Sequence, residues 1–295
     1  MGGEEIEIIC EDGVRLIGDL WLCADPAAPV VVVNPATGVA ARFYHAYARF
    51  LAGHGFNVLT YDYRGIGRSR PQRLKGSGFR WRDWGELDFD AVLALVKDQY
   101  PGNEVLVVGH SIGGFLPGYA ARARVISRML TVGAQYAYWR DYRAPVRLGF
   151  VWKWHIVMPT LSLALGYFPG RKLGWLEDLP KGVALEWALR GQRIERGRMP
   201  SEAADLLSRF SSVGADILAV SVTDDDFATP PAMRRALAYY DAARIDKVML
   251  LPADLGSSRV GHFDLFRARH ATGFWLDTLL WLRDGVNPWP ARRFV

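Results

Sequence analysis

The chain has 295 residues, 50% of them hydrophobic and 23% charged, which fits a globular enzyme and excludes a fibrous or disordered protein. The formal charge of +5 comes from scattered arginines, and without a dense Lys/Arg run or a basic helix it argues against a nucleic-acid partner. Length alone predicts one large α/β unit with an insertion, big enough to bury a sizeable core.

The N-terminus reads Met1-Gly2-Gly3-Glu4-Glu5. It has neither the basic region nor the apolar core of a signal peptide, and Ile6 stands where a myristoylation start carries Ser or Thr, so the expectation is a cytoplasmic protein. The first 25 residues predict a hairpin, with Ile6, Ile8, Val14 and Leu16 alternating around Glu11-Asp12-Gly13. Cys10 and Cys23 are too few for a disulfide framework and are expected to be small buried apolar residues. Four valines at 30–33 predict a strand buried on both faces. A helix is expected over 42–53 and a strand over 57–61. A second helix should open at Asp83, with Glu86 three residues later as a capping box, and stop at Pro101-Gly102-Asn103.

Strand 104–108 comes next, and a helix is expected after Ser111, although Pro117-Gly118 falls early in it. Another strand follows over 128–134. Strands alternating with helices predict a mostly parallel sheet with helices on both faces. The rhythm then breaks. Residues 138–212 carry Trp139, Trp152, Trp154, Trp175 and Trp187, with no clear strand, and predict a helical cap inserted into a core made of 1–137 and 213–295. The apolar window 148–168 contains Lys153, His155 and Pro159, which argues for a buried or interfacial lid segment rather than an uninterrupted membrane span. The alternation resumes with strand 217–222, helix 232–240, strand 248–251 and a closing helix over 274–282. Internal repeats and low-complexity segments are absent from the sequence.

The strongest motif is Gly109-His110-Ser111-Ile112-Gly113, directly after the 104–108 strand. A G-x-S-x-G run in this context predicts a nucleophilic serine on a tight turn, where only small residues fit two positions either side. The backbone N–H of Ile112 is the expected oxyanion donor, aided by a helix N-terminus. A serine hydroxyl needs a base. Of the three histidines downstream, His155 lies in the insertion and His270 on a predicted helix. His262 lies in a loop after the last strand, where a base must emerge. The acid should follow strand 217–222, where Asp224, Asp225 and Asp226 are adjacent. Repulsion lets only one face His262; Asp225 is favoured, then Asp226, then Asp224. It would hold the imidazole tautomer without taking the proton. The second oxyanion donor is expected from the loop after strand 30–33, with Ala36 first and Thr37 second, since Pro35 has no N–H.

The run Asp62-Tyr63-Arg64-Gly65-Ile66-Gly67-Arg68-Ser69, with 109–114 and Gly261-His262-Phe263, resembles the α/β-hydrolase superfamily. The likeness is to its serine-hydrolase branch of monoacylglycerol lipase-like and bacterial esterases, over about 10–135 and 213–282. That resemblance implies the α/β-hydrolase fold and a triad of Ser111, an Asp within 224–226, and His262 under a variable cap. The chain departs from the pattern at Asn34-Pro35, where many relatives carry His-Gly. A dinucleotide reading of Gly65-Ile66-Gly67 fails because Arg70 replaces the third glycine, and no histidine–carboxylate set has metal spacing, so neither cofactor nor metal is expected.

The expected activity is cleavage of a carboxylic ester or thioester through an acyl-enzyme, with an apolar acyl or aromatic pocket under the tryptophan-rich cap. The alternatives are an acyltransferase using the same triad, peptide N-terminal amide hydrolysis, and a non-catalytic binding protein on this scaffold. The expected partner is a small apolar ester. Aromatic cap helices could also touch a membrane surface, though the tryptophans show no helical stripe. Oligomeric state is not legible.

Overall fold

The computed structural model describes residues 2–295. Its main sheet has eight strands: β1 (Glu4–Ile9), β2 (Arg15–Trp21), β3 (Val30–Asn34), β4 (Asn57–Tyr61), β5 (Val105–His110), β6 (Ile126–Val132), β9 (Asp216–Val222) and β10 (Ile245–Leu250). A short antiparallel ribbon, β7 (Tyr167–Phe168) with β8 (Leu179–Pro180), lies apart from it. The sheet order is β1-β2-β4-β3-β5-β6-β9-β10. β2 runs antiparallel to both β1 and β4, and the pairs from β4 to β10 are parallel.

Consecutive side chains on a strand point to opposite faces, and this divides the apolar runs between two cores. Val30, Val32, Val105, Val107, Ile217 and Ala219 enter one core. Val31, Val33, Leu106, Val108, Leu218 and Val220 enter the other. On the first face, α2 (Asp90–Gln99) presents Val92, Leu93 and Val96, and α8 (Pro230–Leu237) presents Met233, Ala236 and Leu237. On the second face, α1 (His45–Gly53) packs Tyr47, Ala48 and Leu51, and α9 (Phe274–Asp284) packs Trp275, Leu279 and Leu282. Runs without polar residues are therefore what this sheet requires, since each fully buried valine or leucine contributes about 1.5–3 kcal/mol.

Three local expectations are corrected. Residues Trp84–Phe89 form a π-helical turn leading into α2, and Asp83 makes no capping bond of the expected kind; its carboxylate accepts from the Arg80 N–H at 2.7 Å, while Glu86 pairs with Arg198. After Ser111 the chain makes two 3₁₀ turns, Ser111–Gly114 and Leu116–Tyr119, because Pro117 cannot donate to a continuing α-helix. Cys10 is buried, but Cys23 is half-buried, and both are free thiols.

The 138–212 segment folds as α3 (Arg147–Phe150), a π-helical stretch Val151–Val157, α4 (Met158–Leu165), α5 (Gly170–Leu173), α6 (Lys181–Ala188) and α7 (Pro200–Ser211), with the β7–β8 ribbon between. The helix over Ala144–Leu165 is long and apolar enough to cross a membrane by length and composition, despite Lys153, His155 and Pro159. Its Leu148, Trp152, Ile156 and Leu163 are exposed, whereas Trp154 and Met158 are buried. Phe210 on α7 packs against Phe115, Tyr119 and Tyr240, so that helix leans on the sheet side of the molecule.

Candidate active site

Ser111 sits at the carboxyl end of β5 with φ +55°, a conformation that non-glycine residues rarely adopt. Such strain persists only where the surroundings impose it, and here the turn is closed by its glycines. A Cβ on Gly109 would come within 2.4 Å of the Gly114 Cα, and one on Gly113 within 2.2 Å of the Asn34 carbonyl oxygen. Asn34, the departure from His-Gly, locks the same region: its amide donates to the Gly113 carbonyl at 3.3 Å and its carbonyl accepts from the Tyr61 hydroxyl at 2.9 Å.

The three adjacent aspartates have different partners. Asp225 is buried at the end of β9. Its Oδ2 lies 2.7 Å from His262 Nδ1, and its Oδ1 accepts from the Phe227 and Ala228 N–H groups at 2.8 and 2.9 Å. Burial alone would raise this carboxyl, but the charge and hydrogen bond of His262 and the two N–H groups outweigh it and hold the pKa below its usual value. Asp224 accepts from the Val260 and Gly261 N–H groups at 2.9 and 3.1 Å, tethering the loop that carries His262. Asp226 turns outward to Arg143 at 2.6 Å. A carboxylate can only accept, so His262 Nδ1 carries a proton, and Nε2 is the ring nitrogen that Asp225 leaves unengaged.

Of the other histidines, His155 bonds the Tyr142 hydroxyl and the Ala188 carbonyl, and His270 bonds Asp264. Neither lines the cavity that contains Ser111. That cavity, about 190 Å³, brings Ser111 and His262 together with Ala36 and Thr37. Phe150, Trp154, Met158, Trp175, Trp187 and Phe227 form much of its apolar wall. Three of the insertion's tryptophans thus face the cavity, while Trp152 points to solvent.

Two residues that sequence reasoning missed are prominent. Gln135, just beyond β6, donates from Nε2 to Ser111 Oγ at 3.1 Å, and its Oε1 accepts from the Ala137 N–H. Its signal was its place at the carboxyl end of the strand beside β5. His110 is buried inside the motif itself. Its Nε2 lies 2.8 Å from the His262 carbonyl, which can only accept, so Nε2 is protonated and Nδ1 accepts from the Tyr44 hydroxyl at 2.8 Å. Burial pushes the His110 pKa down to about 3, so the ring is neutral.

The Tyr44 hydroxyl in turn accepts from the Ala36 N–H at 2.9 Å. That N–H, the first choice of second oxyanion donor, is thus engaged inside the protein. Thr37, the second choice, lines the same cavity, and its hydroxyl is buried with no partner among the described residues. Ile112 is buried in the first 3₁₀ turn, and the helix N-terminus expected to reinforce it is only that short turn.

A sheet in this order, with a serine on such an elbow, makes the chain an α/β-hydrolase of the serine hydrolase class. Within that class it belongs to the family described as serine aminopeptidase, S33, which matches residues 25–192, more than half of the chain. It is 34% identical to a monoacylglycerol lipase of Mycolicibacterium smegmatis over 114 residues, 37% of this chain and 39% of that protein. It is 27% identical to a human monoglyceride lipase over 164 residues, 53% of this chain and 51% of that protein. The chain therefore matches about half or less of these relatives' own length. The fold is shared with a soluble variant of the Saccharomyces cerevisiae monoglyceride lipase bound to a substrate analogue, at TM-score 0.64 and 14% identity, over 96% of this chain and 94% of that one.

Proposed function

We propose that the protein hydrolyses a small carboxylic ester through an acyl-enzyme. Ser111 attacks the carbonyl carbon and its proton passes to His262 Nε2. Asp225 holds the imidazole in that tautomer and stabilises the imidazolium. The proton then goes to the leaving alcohol, and water repeats the cycle to release the acid. The N–H groups of Ile112 and Thr37 stabilise the oxyanion in this reading. Gln135 donates to Ser111 Oγ in the present arrangement and leaves the hydroxyl proton free to pass to His262, and catalytic contacts often tighten only in the substrate complex.

The single observation that carries the reading is a serine at φ +55° lining one cavity with a histidine whose other ring nitrogen is held by a buried carboxylate. The apolar wall, drawn largely from 138–212, favours an acyl chain, and we take that segment as the cap over a core of 1–137 and 213–295. Thr37 Oγ1 and Trp154 Nε1 are buried there without partners among the described residues. They suit an ester whose alcohol carries hydroxyl groups, and the lipase names of the relatives support the same choice. Aminopeptidase activity is disfavoured, because a peptide N-terminus is an ammonium that needs a carboxylate. The described lining residues include none, and Lys153 adds a like charge.

Ser111→Ala should abolish turnover of short p-nitrophenyl esters and labelling by a fluorophosphonate while leaving the circular dichroism spectrum unchanged. Retained turnover in that variant would refute the assignment.

A further inference from the structure

A second cavity, of about 330 Å³, lies between the 189–198 loop and the core residues Trp81 and Tyr119. It shares α6 with the cavity of Ser111: Trp187 lines one, Leu185 and Glu186 line the other. Its charges are unbalanced. Arg82, Arg190, Arg193, Arg196 and Arg198 line it, against one carboxylate, Glu186. Glu186 is already taken up by Arg82, through the backbone N–H at 3.1 Å and the guanidinium at 3.0 Å. Arg198 reaches Glu86, behind the cavity, at 3.4 Å.

Arg190 is the exception. Its guanidinium lies 3.6 Å from the centroid of the Trp81 ring. Its Nη1 is buried with no hydrogen-bond partner among the described residues, and so is the Nε1 of the Trp81 indole beneath it. Desolvation lowers the Arg190 pKa, against the pull of Glu186 and the neighbouring tyrosines, and no carboxylate hydrogen-bonds to it among the described residues. A guanidinium with one nitrogen withdrawn from water and left unpaired is costly. Two adjacent orphaned donors, one of them charged, call for an acceptor that the protein itself does not supply. A planar guanidinium matches the two oxygens of a carboxylate or a phosphate, and the surplus of arginines along the loop would attract either.

We propose that this cavity binds a small oxyanion-bearing molecule, a carboxylate or a phosphate ester, with Arg190 and the Trp81 N–H as its main contacts. The site is separate from the ester cavity and does not depend on the reaction assigned there.

The test is thermal unfolding of the full chain in sodium phosphate or sodium acetate against sodium chloride at matched ionic strength, since a ligand that binds only the folded state raises Tm with concentration. The expected result is a saturable rise of several degrees with millimolar phosphate or acetate. That rise should be absent in Arg190→Met, which keeps an unbranched side chain beside Trp81 but loses the charge. A response to phosphate alone assigns a phosphate ligand, and a response to acetate assigns a carboxylate. Trp81→Phe keeps the ring and removes the N–H, so it should weaken binding several-fold; it also serves if Arg190→Met does not fold. No saturable shift in the wild-type chain with either probe, or an equal shift in the two variants and the wild type, would overturn the proposal.

Discussion

Three carboxylates in a row at the end of β9 look alike in the sequence, and only their tertiary partners separate them. Asp225 faces His262, Asp224 faces the backbone of the His262 loop, and Asp226 faces Arg143 near solvent. Their substitution should therefore give three different results. Asp225→Asn keeps the shape but favours the wrong imidazole tautomer, and kcat for a p-nitrophenyl ester should fall by about 10³–10⁴. Asp224→Ala frees two N–H groups and loosens the loop, so kcat should fall about tenfold to a hundredfold, the range that a misplacement near 1 Å produces. Asp226→Asn breaks a surface pair worth under about 1 kcal/mol and should leave kcat within about twofold. Equal losses in all three would mean that the trio acts only as a turn. Ser111 and His262 could be singled out in the sequence because each stands alone in its loop. The aspartates could be ordered only as a preference; Gln135 carried only the faint signal of its place after β6, and His110 carried none, because a buried polar residue announces itself mainly through partners distant in sequence.

At the scale of elements, legibility followed burial. Strands such as β3 and β5 are apolar on both faces and so could be read directly from runs of valine and leucine. The helix before residue 100 was read with the wrong start, because a π turn over Trp84–Phe89 is set by what it packs against and not by its own propensities. That turn carries Asp88, fully buried, whose carboxylate accepts from Arg64 Nε at 2.5 Å and from the Arg64 backbone N–H at 2.8 Å. Arg64 also pairs with Asp12 in the β1–β2 turn at 2.6 Å, and the Trp84 indole donates to the Arg64 carbonyl at 3.1 Å. The Arg/Gly-rich stretch after β4 is thereby tied to α2 and to the first hairpin. Burial pushes the Asp88 pKa up to about 6, against the pull of Arg64. Removing one member of a buried pair leaves the other uncompensated, which typically costs about 3–5 kcal/mol. Asp88→Ala should lower stability by that order in urea unfolding near neutral pH. A change under about 1 kcal/mol would mean that Asp12 alone satisfies Arg64.

For the whole molecule, the decisive feature is that segments far apart in sequence share one buried polar chain. The Ala36 N–H donates to Tyr44, Tyr44 donates to His110, and His110 donates to the carbonyl of His262. The loop after β3, the β5 elbow and the loop after β10 are thus fixed relative to one another through a neutral imidazole. This has a consequence for folding as a function of pH. Burial first, then the proximity of His262, lowers the His110 pKa from 6.5 to about 3, although its bond to the His262 carbonyl and the charge of Asp225 oppose the shift. In the unfolded chain the same group titrates near its ordinary value. Between those two values the unfolded state binds a proton that the folded state excludes, so the stability present above about pH 6.5 is lost as the pH falls toward 3. From this one group the slope is about 1.4 kcal/mol per pH unit. Asp225, depressed in the folded state, adds a loss of the same sign only below the usual carboxylate range. Urea midpoints between pH 6 and pH 4.5 should therefore fall steadily in the wild-type chain. His110→Gln can still donate to the His262 carbonyl but has no proton to gain. It should be less stable than wild type at pH 7, because the polar chain fits it poorly, yet lose markedly less stability on acidification. Parallel pH profiles for the two proteins would show that His110 is protonated in the fold, and the Tyr44–His110 bond would then run the other way, with Nδ1 donating to the hydroxyl.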